Sequence, residues 1–357
     1  MPRLISEVTE IVTGLGMLGF GSLDEALVER PAPMVDLDDT TWERLREAWA
    51  GGLHRAEFHA AFLNGAAFLA ARDGLRGRMP EVIEWRGPTR SVGDDTTPVD
   101  LRVDHVFLVS CKYLSRILGN VSPASLFERA LTSGTARGRD PDWYHQVAAA
   151  EYQQLYATVV REKELADLPM RASDLGTADR QVLKGALVRP ARSTPMEGAA
   201  TLLGGEVEGR VSADGLIEAA YLELCHAVSA ASAERWALAV PTLAHRRAML
   251  WRLLRIGAAP YFVLGSQPGA SLRLRVATPW DWQRRFELRA FDILPGSRSQ
   301  PTVDWLATVR SLDDRRTVQV RGHVEIRWSH GRFGGPPEAK VYLDTPHHEV
   351  PGYIPLV

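Results

Sequence analysis

The sequence predicts an α/β protein in which a mixed sheet flanked by helices is followed by a β-rich C-terminal part. Helical periodicity recurs over residues 39–71, 142–165 and 214–256, with strand-like segments between these stretches. From Ser271 onward apolar and polar residues alternate, which is typical of half-exposed antiparallel strands. Apolar residues make up 45% and charged residues 24% of the chain, a globular composition that argues against disorder.

The first half of the chain alternates between helical and strand patterns. Residues 39–71 carry apolar side chains at helical spacing, and Gly51-Gly52 is expected to divide this helix into two pieces. Residues 82–85 form a short strand candidate, and residues 91–98 form a polar loop. Residues 99–112 are predicted to form two strands joined by a tight connection near Asp104.

The second half begins with helices and ends in strands. Residues 142–165 and 214–256 are helical in pattern, whereas residues 167–213 are rich in Gly, Arg, Pro and Ser and are expected to form loops and short pieces. Residues 261–264 are a buried strand candidate. Because the pattern changes near residue 270, we expect one domain over residues 1–270 and a β-rich domain over residues 271–357.

Charge and cysteine content exclude several classes of protein. The formal net charge is −2, so a nucleic-acid site would have to be a local basic surface. Two cysteines are too few for a disulfide framework or for a metal site made of thiolates alone. The apolar stretch over residues 11–20 follows acidic residues and lacks a signal-peptide cleavage site, and no run of 18 apolar residues is present. We therefore expect a cytoplasmic protein without membrane association.

The segment from Pro98 to Tyr113 carries the clearest chemical pattern. If the connection between its two strands holds an odd number of residues, one face gathers the apolar side chains and the other gathers Asp100, Ser110 and Lys112. An even connection would place Asp100 across the sheet from Lys112 and scatter the apolar set. The hydrophobic pattern alone therefore selects the register that brings a carboxylate, a hydroxyl and an amine together. The apolar face would consist of Val99, Leu101, Val103, Phe107, Val109 and Cys111.

This hairpin resembles the active-site hairpin of PD-(D/E)XK nucleases, over about 75 residues from Asp39 to Tyr113. In that family an Asp stands early in one strand, and an acidic residue, any residue and a Lys end the next. Pro98-Val99-Asp100 matches the first part with one residue inserted. Ser110-Cys111-Lys112 matches the second part, except that Ser110 stands where the family has Glu or Asp. The resemblance implies a restriction-endonuclease-like fold.

The resemblance also assigns roles to these residues. Asp100 would supply the central carboxylate for Mg²⁺, or for Mn²⁺ as the alternative, and the main-chain carbonyl of Cys111 would face the metal. Lys112 would orient the attacking water and stabilise the charge that develops in the transition state. Divalent ions suit this reaction because they polarise a phosphate oxygen and lower the pKa of a bound water.

A single carboxylate makes a weak metal site, so a second acid is expected elsewhere. Glu57 is the first candidate, because the helix preceding the hairpin often carries a metal-directed Glu in this family. Glu128 is the second, because some restriction endonucleases with a Ser-x-Lys variant recover the acid from a helix shortly after the Lys. Glu84, on the preceding strand, is the third.

Simpler interpretations stay open beside this one. Asp100 could cap a strand end, Lys112 could be a surface lysine, and Cys111 is better explained as a buried apolar filler than as a nucleophile. A second Glu-x-Lys, Glu338-Ala339-Lys340, has a natural hairpin partner in Glu325, but no helix bearing an acid precedes it. The chain carries no nucleotide-binding Gly-rich loop ending in Gly-Lys-Ser/Thr and no Gly-x-Ser-x-Gly elbow.

The expected function is metal-dependent cleavage of nucleic acid, with DNA favoured over RNA. The resemblance suggests a role in restriction or in antiviral defence, as a homodimer or with an accessory defence subunit. The alternative is a nuclease-like fold without activity that binds nucleic acid or a protein partner, and Ser110 in the acidic position is what favours it.

Overall fold

Two sheets and eleven α-helices make up the computed structural model over the part of the chain that it describes. The described residues are 2–87, 99–131, 142–187, 213–267, 270–296, 299–329 and 331–357. The helices are α1 (Pro2–Gly16), α2 (Leu23–Glu29), α3 (Asp39–Ala50), α4 (Arg55–Ala70), α5 (Pro123–Phe127), α6 (Trp143–Val147), α7 (Ala149–Glu162), α8 (Thr177–Ala186), α9 (Ala213–Ala239), α10 (Leu243–Leu253) and α11 (Pro279–Arg285). None of these helices combines the length and apolar character needed to cross a membrane.

The strands are β1 (Met34–Val35), β2 (Ile83–Trp85), β3 (Leu101–Val103), β4 (Phe107–Tyr113), β5 (Ile117–Val121), β6 (Tyr261–Gln267), β7 (Ala270–Val276), β8 (Phe286–Pro295), β9 (Thr302–Ser311), β10 (Thr317–Arg327), β11 (Glu338–Leu343) and β12 (Tyr353–Pro355). Seven of them form one sheet in the order β1-β2-β3-β4-β6-β7-β12. Strands β2, β3 and β4 are antiparallel neighbours, and β4 pairs in parallel with β6. This arrangement confirms the predicted mixed sheet flanked by helices.

The second sheet is antiparallel throughout, in the order β5-β11-β10-β9-β8, and confirms the β-rich character of the C-terminal part. The strands of the two sheets do not follow one another in the sequence. Strands β7 and β12 come late in the chain and belong to the first sheet, whereas β5 comes much earlier and pairs with β11 in the second. The chain therefore passes between the sheets more than once.

Two apolar cores lie on opposite faces of the first sheet. The first core packs α1 and α4 against one face, with Ile11, Phe58, Phe68, Val109 and Phe262 among its fully buried side chains. The second core fills the space between the other face, the later helices and the second sheet. The first sheet is therefore covered on both faces, which limits access to its strands to their edges and ends.

Helices α1 and α4 cross at unusually close range. A Cβ atom added at Gly65 would lie 2.0 Å from the carbonyl oxygen of Thr13, and one added at Gly16 would lie 2.1 Å from that of Phe62. Only glycine permits this approach, because any side chain at either position would clash with the facing backbone. The crossing fixes α1 beside β4.

The three predicted helical stretches are present, and the break between α3 and α4 falls at the predicted glycine pair. The stretch over residues 142–165 is divided into α6 and α7, and the stretch over residues 214–256 is divided into α9 and α10. Helix α8 lies in a segment that was expected to form loops. Residues 188–212 of that segment, and the loop predicted over residues 91–98, lie outside the described residues.

Candidate active site

The register of the β3–β4 hairpin is the one that the hydrophobic pattern predicts. Leu101 pairs with Val109 and Val103 pairs with Phe107, which leaves three residues in the connection. Asp104 and His105 in that connection have φ angles of 50° and 58°, as a tight turn requires. The prediction that the connection holds an odd number of residues is confirmed. This number determines which side chains share a face of the hairpin.

The two faces of the hairpin are largely as expected. Leu101, Val103 and Val109 are fully buried in the first core, and Phe107 packs against it. Val99 differs from its expected place, because it lies before β3 begins and packs against the second core. The face that carries Ser110 and Lys112 also points towards the second core, where Ser110 is buried and Lys112 is half-buried.

Asp100 is held at the start of this hairpin by two hydrogen bonds to the same carboxylate oxygen. The hydroxyl of Ser110 donates to Oδ2 at 3.1 Å, and the backbone N–H of Cys111 donates to it at 2.6 Å. The Asp100 carboxylate therefore accepts a backbone hydrogen bond from β4 that the carbonyl oxygen of a neighbouring strand would otherwise accept. The structure thus brings Asp100 and Ser110 into direct contact.

Lys112 lies next to this pair but does not reach solvent freely. Its Nζ donates a hydrogen bond to the carbonyl oxygen of Ile117 on β5, at 2.9 Å. Burial lowers the pKa of Lys112 below its usual range, while the charge of Asp100 opposes that effect and the charge of Arg255 adds to it. The amine is thus a desolvated group held beside a carboxylate, the environment expected of a functional lysine.

Glu10 on α1 is the acid that the structure places next to Asp100, and the sequence interpretation missed it. The indole N–H of Trp85 donates to Glu10 Oε2 at 2.7 Å. Burial raises the pKa of Glu10 to about 8, and the negative charge of Asp100 contributes to the rise. Apolar residues at helical spacing around Glu10, namely Val8, Ile11, Val12 and Leu15, were the signal that could have identified α1.

These groups line one cleft at the end of β4, with a volume of about 350 Å³. The cleft lies between α1 and the segment that joins β4 to β5. Its lining consists of Ile5, Ser6, Thr9, Glu10, Asp100, Cys111, Lys112, Tyr113 and Ser115. Carboxylates, hydroxyls and an amine thus converge on a single concave site, the arrangement expected of an active site.

The three acids expected to complete the site do not line this cleft. Glu57 accepts a hydrogen bond from the hydroxyl of Tyr113, a lining residue, at 2.8 Å. Glu128 is paired with Arg235. Glu84 is paired with Arg102, at 2.9 Å for the Nη2–Oε1 contact. Of the candidate acids, Glu57 alone is connected to the cleft, and only through a neighbour.

Cys111 is a buried residue of the first core, which agrees with its interpretation as an apolar filler. Burial raises the pKa of its thiol well above the usual range, and the charge of Asp100 raises it further. A thiol in such a place is a poor nucleophile, because nucleophilic attack requires the thiolate. Its backbone N–H contributes to the site by donating a hydrogen bond to Asp100.

The donor set of the cleft fits a hard divalent cation. Among the described residues, no three His, Cys, Asp or Glu side chains are grouped closely enough to hold a metal by themselves. Mg²⁺ does not require such a group, since it retains several waters and commonly binds one or two carboxylates together with substrate phosphates. Glu10 and Asp100 supply two carboxylates, and Glu10 would have to lose its proton to bind.

The second Glu-x-Lys lies on β11 of the other sheet. Lys340 pairs directly with Glu325 of β10, as the sequence suggested. Glu338 accepts a hydrogen bond from Asn120 at 2.9 Å, and Glu325 accepts one from the hydroxyl of Tyr342 at 3.0 Å. These groups sit within the polar face of a sheet and away from the cleft lining, so Lys340 is a natural control for Lys112.

Comparisons of the chain with protein-family models, with curated proteins and with solved structures found no match.

Proposed function

We propose that this protein is a metal-dependent nuclease that hydrolyses phosphodiester bonds of nucleic acid, with DNA favoured over RNA. The observation that carries the proposal is the convergence of Glu10, Asp100 and Lys112 on one cleft. Two carboxylates and a desolvated amine are the groups that metal-assisted phosphate hydrolysis uses.

The resemblance to PD-(D/E)XK nucleases is supported by where Glu10 lies. That resemblance implies a mixed sheet flanked by helices and an acid on a helix that precedes the hairpin. Helix α1 precedes the hairpin, packs beside β4 and carries Glu10. On this interpretation Glu10 is the second acid that was expected to be Glu57. The site then has two acids although Ser110 stands where the family has Glu or Asp. A restriction-endonuclease-like fold is part of this proposal.

In this mechanism each residue has a separate task. Glu10 and Asp100 would hold the metal, with the Cys111 carbonyl as the further ligand that the resemblance implies. When bound, the metal would polarise a phosphate oxygen and lower the pKa of a coordinated water. The hydrogen bonds from Ser110 and Cys111 fix the Asp100 carboxylate before substrate arrives. Lys112 would place a positive charge beside the reacting phosphate, in a half-buried cleft where such a charge is more effective than in water.

Cleavage assays on three substrates test the proposal. Supercoiled plasmid, single-stranded DNA and RNA are incubated with Mg²⁺ or Mn²⁺ and with the parent protein, Asp100→Asn, Lys112→Met or Lys340→Met. We expect cleavage by the parent and by Lys340→Met, and losses of at least about a hundredfold for the two cleft variants. Equal rates for the parent and Asp100→Asn would show that the cleft is not the active site.

The alternative is a nuclease-like module that binds nucleic acid or a partner protein without cutting. The protonation of Glu10 at neutral pH favours it, because a protonated carboxyl is a poor metal ligand. If the parent protein cuts none of the three substrates but retards them in a gel-shift assay with Ca²⁺, the binding module is the correct assignment. A role in defence, as a homodimer or beside an accessory subunit, is part of the nuclease proposal and applies only if the protein cleaves nucleic acid.

A further inference from the structure

Helix α11 buries one of its two tryptophans and presents the other to solvent. Trp282 is 1% exposed, and its indole N–H donates to the carbonyl oxygen of Pro351 at 3.1 Å. Trp280 is 62% exposed. Residues two positions apart lie on opposite sides of a helix, because each residue turns the helix by about 100°. The burial of Trp282 therefore directs the indole of Trp280 outward.

Arg284 shares the exposed face of α11 with Trp280. It follows Trp280 by four residues, the spacing at which helical side chains are neighbours. Its guanidinium carbon lies over the indole, 4.6 Å from the ring centroid. This cation–π contact holds an aromatic ring and a positive charge together at the surface. A single exposed tryptophan is common on protein surfaces, so its significance depends on its surroundings.

The turn between β9 and β10, over residues 312–316, lies beside the end of α11. The backbone N–H of Leu312 donates to the carbonyl oxygen of Arg285 at 2.8 Å. All five residues of the turn are exposed, and two of them are arginines, Arg315 and Arg316. The turn and the helix therefore form one continuous surface.

This surface, called the arginine surface below, is positively charged although the whole chain has a net charge of −2. Arg247 and Glu287 border it, because they line one groove with Gln283 of α11. Arg310 lies on β9 directly opposite Glu287. The arginine surface thus holds the four acids Asp281, Glu287, Asp313 and Asp314 and the seven arginines Arg247, Arg284, Arg285, Arg289, Arg310, Arg315 and Arg316. Such a local excess of positive charge attracts a polyanion.

Each acid of the arginine surface already has an arginine partner. Glu287, Asp313 and Asp314 pair with arginines of the same surface, at 3.0, 3.4 and 3.4 Å. Asp281 lies 3.7 Å from Arg275 of β7. The remaining four arginines form no ion pair with any residue that the structure describes, namely Arg247, Arg284, Arg310 and Arg315. Four positive charges can therefore bind an anion from outside the protein.

The arginine surface and the cleft lie towards opposite ends of the first sheet. Lys112 in the cleft pairs with Gly265 near the end of β6. At the start of β6, Tyr261 pairs with Val276, which lies just before α11. Four residues along a strand span about 13 Å, and none of the residues named for the arginine surface lines the cleft. A ligand on this surface would therefore be held away from the groups proposed to react.

We propose that the arginine surface binds single-stranded DNA, with one base stacked on Trp280 and phosphates bound by the arginines that have no acid partner. The planar guanidinium of arginine suits phosphate oxygens, and an aromatic ring can stack on a base that is unpaired. The two features together fit a single strand better than a duplex or an acidic protein. The inference rests on the proposed function for the choice of DNA over RNA, and it holds whether or not the cleft cleaves the strand.

The first experiment measures binding of a labelled twelve-nucleotide oligothymidine by fluorescence anisotropy, in EDTA so that no metal-dependent cleavage interferes. We expect Trp280→Ala to weaken binding roughly fivefold to a hundredfold, and Trp280→Phe to retain most of the affinity because it keeps an aromatic ring. Arg161→Gln is the control, since Arg161 is an exposed arginine of α7 that is paired with Glu162. It should bind like the parent. Equal affinities for Trp280→Ala and the parent would overturn the proposal.

The second experiment repeats these titrations at several salt concentrations, because salt dependence reports phosphate contacts. For a single strand, each phosphate contact adds about 0.7 to the slope of log Kd against log salt concentration. Arg315→Gln should therefore weaken binding and lower that slope by about 0.7, whereas Trp280→Ala should weaken binding and keep the slope. An unchanged slope in Arg315→Gln would refute the assignment of phosphate to this surface. Competition by poly-L-glutamate as effective as that by unlabelled strand would show attraction of any polyanion and would refute recognition of DNA.

These experiments separate failure of the arginine surface from failure of the proposed function. Asp100→Asn should bind the oligonucleotide like the parent, because its change lies in the cleft. A parent protein that cleaves no nucleic acid, while Trp280→Ala still weakens its binding, would refute the nuclease and support the arginine surface. A parent that cleaves DNA, with Trp280→Ala equal to it in affinity, would refute the arginine surface and leave the nuclease intact.

Discussion

Glu10 on α1 and Asp100 at the start of the β3–β4 hairpin lie close enough that the charge of one influences the proton of the other. Burial and the negative charge of Asp100 together raise the pKa of Glu10 to about 8. At neutral pH Glu10 therefore keeps its proton.

Stability should fall with rising pH because of Glu10. The unfolded chain loses this proton near pH 4.5, and the folded protein keeps it until about pH 8. Between these values the folded state holds the extra proton, so the free energy of unfolding decreases by at most about 1.4 kcal/mol per pH unit. Urea unfolding at pH 5, 7 and 9 should show a decline in the parent that is smaller in Glu10→Gln. Parallel profiles would contradict the pKa assignment.

Metal binding should release a proton from Glu10. Below pH 8 the incoming ion must displace that proton, so affinity should rise with pH between 6 and 8 and level off above. Calorimetric Mn²⁺ titrations at pH 7, in buffers of different ionisation enthalpy, should show close to one proton released by the parent. Glu10→Gln should abolish the release and weaken binding on the order of tenfold or more.

Glu57→Gln is the matched control for that titration. Glu57 was the first candidate for the second acid, and in the structure it binds the hydroxyl of Tyr113 instead. We expect its variant to keep both the parent affinity and the proton release. The reverse result, with loss in Glu57→Gln and none in Glu10→Gln, would return the metal to Glu57 and remove Glu10 from the site.

The register of the hairpin could be predicted from sequence because successive side chains of a strand point to opposite faces. If Leu101 and Val109 are both buried, the connection must hold an odd number of residues, and Asp100 and Ser110 then lie on the same face. That argument needs only neighbouring residues. The helical stretches could be predicted for a similar reason, because apolar residues that recur every three to four positions over a dozen residues are typical of a helix.

The second acid could not be predicted in this way, because it depends on which helix packs beside β4. Glu57 and Glu10 both lie on helices that precede the hairpin, and both of those helices contribute to the first core. The close crossing at Gly16 and Gly65 determines where α1 lies. The residues around each glycine do not indicate which helix it packs against. The pairing of β5 with β11 is a similar case, since more than two hundred residues separate Asn120 from Lys340.

Tyr113 is expected to bind nucleic acid through its ring. It lines the cleft beside Lys112, and its hydroxyl is fixed by Glu57 at 2.8 Å. Stacking of one base on an aromatic side chain contributes about 1–3 kcal/mol, so Tyr113→Ala should weaken binding of single-stranded DNA by roughly that amount. Tyr113→Phe keeps the ring and should bind like the parent. Fluorescence anisotropy in Ca²⁺ measures both, and an equal loss in the two variants would assign the effect to the hydroxyl.

The crossing of α1 and α4 links the stability of the first core to the position of Glu10. In Gly65→Ala the new methyl group would lie 2.0 Å from the carbonyl oxygen of Thr13, so α1 must move away from α4. Overpacking of this kind costs about 1–3 kcal/mol, and the displacement of α1 should also carry Glu10 away from Asp100. We therefore expect a lower urea midpoint together with weaker Mn²⁺ binding.

Gly185→Ala is the control for this change. Gly185 lies in the last turn of α8, and a Cβ atom there would meet nothing within 4 Å. Alanine in a helix is favoured over glycine by up to about 1 kcal/mol, so this variant should be as stable as the parent or slightly more stable. Its Mn²⁺ affinity should not change. If Gly65→Ala lost stability but bound Mn²⁺ like Gly185→Ala, then α1 would not be what positions the metal-binding acid, and Glu10 would lose its place in the proposed mechanism.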